Sequence, residues 1–350
     1  MCFNPLPSLR NCLFNHSFQC FYFIYYIRFI LLLYSKINTM RTRREYGLNK
    51  PILFIILGAA LWGTIGWFVK HLYAFGFTPM EVVTLRVWSS AIILIIYMLS
   101  LSPSNLKLKH YSDVKYFIGT GVCSIIFFNY CMFTAIELST IPIATALLYT
   151  GPTFVTIISF FLFKEPFTRI KIIALFMTLL GTCLVVGLSP GNLNNLDFAS
   201  ILFGLGSGLG YALYSIFSKY SLQKYSSLQV TSFTFIVAAV TLLPFFPYQE
   251  KFSLLLDATA LFYAIGLGIL PTALAYILYT YGLQYTEASK ASILSTIEPV
   301  VATLIGIFIF LETFTFVQML GMGCIIGAVL IVQLYGRNKR VYKQKSKSIL

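Results

Sequence analysis

Charge is what this sequence has least of. Of 350 residues only 10% are Asp, Glu, Lys or Arg, and just 11 are acids. A soluble domain carries about 25% charged residues, because polar side chains must cover its surface. Here 58% of residues are apolar or aromatic, and mean hydropathy is +0.82. A soluble enzyme or binding module is excluded; an integral membrane protein is what remains. Asp113, Asp197 and Asp257 stand alone, and His16, His71 and His110 have no HExxH or other ligand spacing. A membrane-embedded enzyme needs a base, nucleophile or metal cluster, and none is offered. The seven cysteines form no CxxC pair, and four of them (Cys123, Cys131, Cys183, Cys324) lie in apolar runs. They read as small helix residues rather than disulfides or zinc ligands, so neither a metal nor a cofactor is expected.

A P-loop is also missing. The run GLGSGLG (204–210) sits inside an apolar stretch, with no strand before it and no Lys-Ser/Thr after it. Intrinsic ATP hydrolysis is excluded, and the energy source must be a gradient. Small residues four apart, at Gly204/Gly208, Gly206/Gly210 and Gly323/Gly327, predict close helix approach instead. No ring of charges or filter-like loop marks a channel.

What is present is a series of apolar runs. A helix needs about 20 mainly apolar residues to cross a bilayer. Ten such runs are found: 51–72, 80–100, 114–134, 140–163, 170–188, 198–218, 228–247, 258–282, 288–310 and 316–334. With the first helix starting in the cytoplasm, 20 Lys and Arg fall in cytoplasmic segments and only Lys70 and Lys251 in outer loops. The positive-inside rule then places both termini in the cytoplasm. The basic excess therefore marks membrane topology, and no nucleic-acid partner is expected. Residues 1–39 contain a 15-residue apolar segment (20–34) broken by Arg28. They are read as an extension ahead of Met40 with no function of their own, and 336–350 as a basic cytoplasmic tail.

An internal repeat organises the rest. Residues 144–168 align without a gap on 291–315, with ten of 25 positions identical, including Pro152/Pro299, Glu165/Glu312 and Thr168/Thr315. Trp62…Lys70 aligns more weakly on Tyr211…Lys219, at an offset of 149. Each unit (51–188 and 198–335) holds five helices, and an odd number inverts the second unit relative to the first. The expected fold is an all-α polytopic membrane protein of ten transmembrane helices in two inverted five-helix repeats.

Three blocks resemble the drug/metabolite transporter superfamily in its ten-helix form with two EamA-type domains. They are GAALWGTIGWFVK (58–70) with Thr78-Pro79 and Arg86 following, GPTFVTIISFFLFKEPFT (151–168), and YGLQYTEASKASILSTIEPVVATLIGIFIFLETFT (281–315). The resemblance covers about 51–335. It implies secondary transport of a small metabolite such as an amino acid, amine or carboxylate, often outward, across a bacterial plasma membrane. It also implies a central cavity bordered by helices 1–4 and 6–9, with helices 5 and 10 peripheral, and no catalytic residues. The expected partners are a small-molecule substrate and the lipid bilayer, with a homodimer compatible with the sequence. A membrane enzyme or an uncoupled channel is the alternative function.

Candidate site residues follow from depth, since an ionisable group inside a membrane is costly. Glu298 lies deep in helix 9, just before Pro299, and its repeat counterpart is Gly151, so it breaks the pseudo-symmetry. A structural pairing with a neighbouring hydroxyl or with Lys290 is the plainer reading. Arg86 in helix 2 is a candidate for an anionic substrate group, against pairing with Glu81. Trp62 and Tyr211 occupy equivalent positions, and Tyr149 belongs to the same aromatic set, which also includes Trp67, Tyr214, Tyr276 and Tyr279. Asn129 is a candidate hydrogen-bonding group. Pro152 and Pro299 are expected to bend helices 4 and 9. Glu165 and Glu312 read as caps of the turns to helices 5 and 10, and Lys70 and Lys219 as solvated helix ends.

Overall fold

The computed structural model describes residues 50–101, 106–188 and 197–347, with side chains to residue 334. The extension 1–39 and the side chains of the basic tail lie outside the described residues. Every regular element among the described residues is helical. That follows from the solvent: a bilayer offers backbone amides no partners, and a helix satisfies its own. The spans are α1 (Lys50–Ala74), α2 (Pro79–Leu101), α3 (Tyr111–Leu138) and α4 (Ile141–Phe163). After α5 (Arg169–Val185) come α6 (Phe198–Ser221), α7 (Ser227–Phe245), α8 (Ala258–Tyr285), α9 (Ala288–Phe310) and α10 (Phe316–Leu334). Nine of these are long and apolar enough to span by a threshold of 18 residues; α5 has 17 and falls just short. Among the described residues ten helices thus have spanning character, α5 at the lower limit of length, and a short helix, Tyr248–Leu255, lies between α7 and α8.

The repeat is visible in the backbone. Lys164 and Leu311, equivalent at an offset of 147, both adopt the left-handed conformation, with φ of 54° and 55° and the same ψ of 34°. In each case the next amide closes the helix end, Glu165 N donating to Ser159 O (3.2 Å) and Glu312 N to Gly306 O (3.1 Å). A π-helical stretch interrupts both α3 (Gly121–Ile126) and α8 (Ile269–Leu274). Helices α4 and α9 are each broken midway, into Ile141–Leu148 with Gly151–Phe163, and Ala288–Leu294 with Glu298–Phe310. Pro152 and Pro299 occupy the first turn of the second segments, where a missing amide costs no hydrogen bond.

Packing obeys the same pseudo-symmetry. Helix α1 packs on α8 and its counterpart α6 on α3, while α5 pairs with α10 and α2 with α7. Missing side chains allow these approaches. A Cβ on Gly58 would come 2.7 Å from Ala275 O, and one on Gly210 2.9 Å from Phe128 Cα. Gly181 and Gly321 face one another across α5 and α10, each about a methyl group too close to the other's carbonyl, at 2.7 and 2.6 Å. The α10 contact expected at Gly323/Gly327 is made at Gly321 instead. Gly323 has nothing within 4 Å, and Gly327 meets only the flexible end of Met177. The GLGSGLG run does act as a contact stripe, against Leu147, Cys131, Thr150 and Phe128.

Candidate functional site: a one-ended chamber

The breaks in α4 and α9 meet at a chamber of about 600 Å³. Its inner wall carries Trp62, Arg86, Asn129, Tyr149, Tyr211 and Glu298. All six residues singled out from the sequence therefore border one cavity, and Pro299 joins them; Pro152 is buried and does not line it. Tyr276 completes the wall. It was only one of a larger aromatic set in the sequence, yet it is the repeat counterpart of Asn129 at an offset of 147. Asking what faces Asn129 in the second repeat would have found it.

Glu298 opens the second segment of α9, about 15 Å from the helix start at 1.5 Å rise per residue. Its polar neighbours are the Tyr149 hydroxyl and the Arg86 guanidinium. Lys290, the plainer partner, is held instead by Glu287 at 3.2 Å. Arg86 is 6% exposed, reaches the Tyr276 hydroxyl and leaves its Nε without a hydrogen-bond partner among the described residues. It does not pair with Glu81. That carboxylate accepts from Thr78 N at 2.8 Å and meets Lys251 at 3.4 Å. No ion pair within 4.0 Å joins Arg86 to Glu298, so the inner wall presents the guanidinium and the carboxyl group separately, with Glu312 a second carboxyl group further along the chamber.

The remaining wall is aromatic and fixed. Trp62 meets Tyr276 and Tyr279 at centroid separations of 5.0 Å, and Tyr211 at 6.2 Å. Hydroxyls behind the rings are satisfied: Tyr211 with Ser295 (2.8 Å), Tyr214 with Thr280 (2.7 Å) and Tyr279 with Ser215 (2.7 Å). The indole N–H of Trp62 is buried and has no acceptor among the described residues. Asn129 donates to Ile125 O at 2.7 Å, across the π-helical stretch of α3. Such bonds hold the rings in place while leaving the Trp62 and Arg86 donors available to a ligand.

The chamber continues towards only one end of the bundle, past Tyr73, Ile136, Pro142, Glu312 and Gln318. Helices α1–α4 and α9 supply most of the wall, α6 and α8 one residue each, and α7 none. Val185 at the end of α5 and Gln318 of α10 also line it, so these two helices are not wholly peripheral as expected. Of the helices expected to border the cavity, 1–4 and 6–9, only α7 contributes nothing, and the second repeat contributes less than the first because the other end of the bundle is closed. There Glu165, 7% exposed, caps the N-terminus of α9: Ala288 N donates to it at 2.6 Å, Ser289 N at 3.1 Å, and the Ser289 hydroxyl also bonds it. Lys171 bridges Glu165 (3.7 Å) and Glu287 (2.9 Å). Burial acts to raise the Glu287 carboxyl, but the hydrogen bond from Lys171 and the charges of Lys171 and Lys290 outweigh it and hold the group below its ordinary value. Lys219 caps the far end of α8 through Leu283 O (2.7 Å) and Thr286 O (2.5 Å).

Three sequence readings are corrected here. Glu312 does not cap the turn to α10: Thr315 and Gln318 do, Thr315 N donating to Gln318 Oε1 (2.9 Å) and Gln318 N to Thr315 Oγ1 (3.2 Å). Glu165 caps a helix of the opposite repeat rather than its own turn to α5, which Thr168 caps through Lys171 N at 3.3 Å. Lys219 is half-buried in a helix cap, not a solvated end. Sequence alone carried no signal for the partners of Glu165 and Lys219, since both lie more than 60 residues away.

The comparisons agree with this architecture. Residues 49–187 and 198–334 each match the EamA-like transporter family. An uncharacterized transporter of Archaeoglobus fulgidus is 32% identical over 281 residues, covering 79% of this chain and 94% of the relative. The uncharacterized inner membrane transporter YicL of Salmonella typhimurium is 26% identical over 301 residues, 83% and 97% of the two chains. A crystal structure with 19% sequence identity superposes with a TM-score of 0.69 over 83% of this chain and 99% of its own, which supports the fold. Two family matches cover most of the chain, and each holds one five-helix unit: the protein belongs to the EamA-like transporter family.

Proposed function

We propose that this transporter is an alternating-access exporter of a small metabolite bearing both an amino and an acid group. The observation that carries the reading is the pair Arg86 and Glu298, facing one chamber without a direct ion pair between them. A guanidinium grips a carboxylate through two parallel hydrogen bonds, and a carboxylate accepts from an ammonium. The aromatic wall receives an apolar side chain, and about 600 Å³ suits a ligand of amino-acid size. The membrane is the plasma membrane, a reading supported by the inner-membrane relative, with both termini cytoplasmic on the strength of the charge bias. The chamber then opens outward.

Coupling follows from the same carboxylate. Glu298 holds either a substrate ammonium or a proton, so proton entry from outside displaces the substrate. The test is transport in proteoliposomes with and without an imposed pH gradient, over a panel of amino acids, amines and carboxylates. Glu298→Gln is expected to abolish gradient-driven accumulation while leaving weakened exchange measurable. Undiminished accumulation by the variant would remove Glu298 as the coupling group.

A further inference from the structure

The two ends of the bundle share a carboxylate and a lysine at equivalent positions, held in different states. At the closed end Glu165 caps α9, and Lys219 caps α8. Their repeat counterparts are Glu312 and Lys70. Glu312 is exposed at the chamber mouth and makes no hydrogen bond or ion pair among the described residues. Lys70 is exposed and lies over the Phe310 ring, 3.7 Å from its centroid. The groups they would reach are also identifiable by an offset of 147. Ala288 N corresponds to Ile141 N, at the start of α4, whereas Ser289 corresponds to Pro142, which offers neither an amide nor a hydroxyl. The second donor there is the hydroxyl of Thr140, the counterpart of Glu287, buried without a partner among the described residues. Leu283 O and Thr286 O correspond to Ile136 O and Ser139 O, at the end of α3.

From this we infer that Glu165 and Glu312 are the two halves of a reciprocal latch, acting as positioning residues for the transport cycle. In the state seen, Glu165 is docked on α9 and Glu312 is free. In the opposite state Glu312 docks on the start of α4, accepting from Ile141 N and the Thr140 hydroxyl, while Glu165 lets go of Ala288 and Ser289. Lys219 and Lys70 exchange roles in the same sense. Each carboxylate closes its own end only when the other end is open, because the α4 and α9 segments that carry the docking amides also carry the latching carboxylates at their far ends. The inner latch carries the additional Lys171–Glu287 pair, whereas Gln318 and Thr140 stand at those positions in the outer one.

The latch rests on the alternating-access reading, and its test needs no substrate. In a cysteine-free background, Thr145→Cys reports on the outer chamber, which Thr145 lines. Its repeat counterpart Ser292, wholly buried here, reports as Ser292→Cys on the inner one. Each is labelled in vesicles with a membrane-impermeant maleimide from its own side. Removing one charged cap should move the ratio of the two labelling rates on the order of tenfold. Glu165→Gln is expected to slow labelling at 145 and speed it at 292, and Glu312→Gln to do the reverse. Glu312 is exposed, so its variant keeps the test alive should the Glu165 variant fail to fold. Shifts in the same direction, or none, would overturn the latch. A Ser292→Cys protein that never labels from inside, in any background, would instead overturn alternating access itself.

Discussion

Arg86 is buried on α2 with one nitrogen unbonded, a costly arrangement unless a ligand completes it. A lysine there keeps the charge but loses the planar fork that grips a carboxylate in two places. Arg86→Lys is expected to raise KM at least about tenfold for acid-bearing substrates, and to leave amines lacking an acid group little affected. Uptake kinetics on the two substrate classes decide this; equal effects on both would make Arg86 a structural partner of Tyr276. Glu298 was legible at this scale because a lone acid deep in an apolar run is visible in any sequence. The vacant Trp62 N–H and the Arg86–Tyr276 contact were not, since they depend on how α1, α2 and α8 rotate about their axes.

Among elements, the α5–α10 pair shows how little separates packing from clash. Two glycines let backbones touch, and a branched side chain at either forces the helices apart. Gly321→Val is expected to cost about 1–3 kcal/mol, read as a lower thermal midpoint in detergent. Gly323→Val, where open space surrounds the Cβ, should be nearly silent. Equal destabilisation by both would place the contact where the four-residue spacing put it. That spacing was a poor guide because Gly321, Gly323 and Gly327 all lie on one apolar helix, and only the partner's position says which face is used. The repeat was a better guide. It predicted that α4 and α9 share one course, and the matched left-handed residues Lys164 and Leu311 show the shared turn in the backbone. It said nothing of Glu165 reaching α9, because a capping contact between repeats leaves no periodicity behind.

For the molecule as a whole, length and hydropathy were enough to reveal the ten helices, since each span must be apolar along its length. The inversion came from the repeat of five-helix units, and the transporter from the family resemblance. Orientation rests on the charges flanking those spans. In the cysteine-free background, Ser253→Cys, exposed beyond α7, should react from outside. Lys164→Cys, exposed at the turn after α4, should react only after permeabilisation. The opposite pattern would invert the topology.

The shortness of α5 has a bearing on the surrounding lipid. Seventeen residues rise about 25 Å, whereas a bilayer's hydrocarbon core is about 30 Å thick. Ile172, Ile173, Phe176 and Leu180 are exposed along this helix, so it meets the acyl chains directly. Lys164 and Arg169 at its start extend along the chains to the headgroups. A span this short is accommodated by local thinning of the bilayer together with such flanking side chains, and on the proposed alternating-access cycle any rocking of the repeats that tilts α5 changes that deformation. On that proposal acyl-chain length enters the free-energy difference between the two access states, and the membrane acts as an elastic load on the cycle.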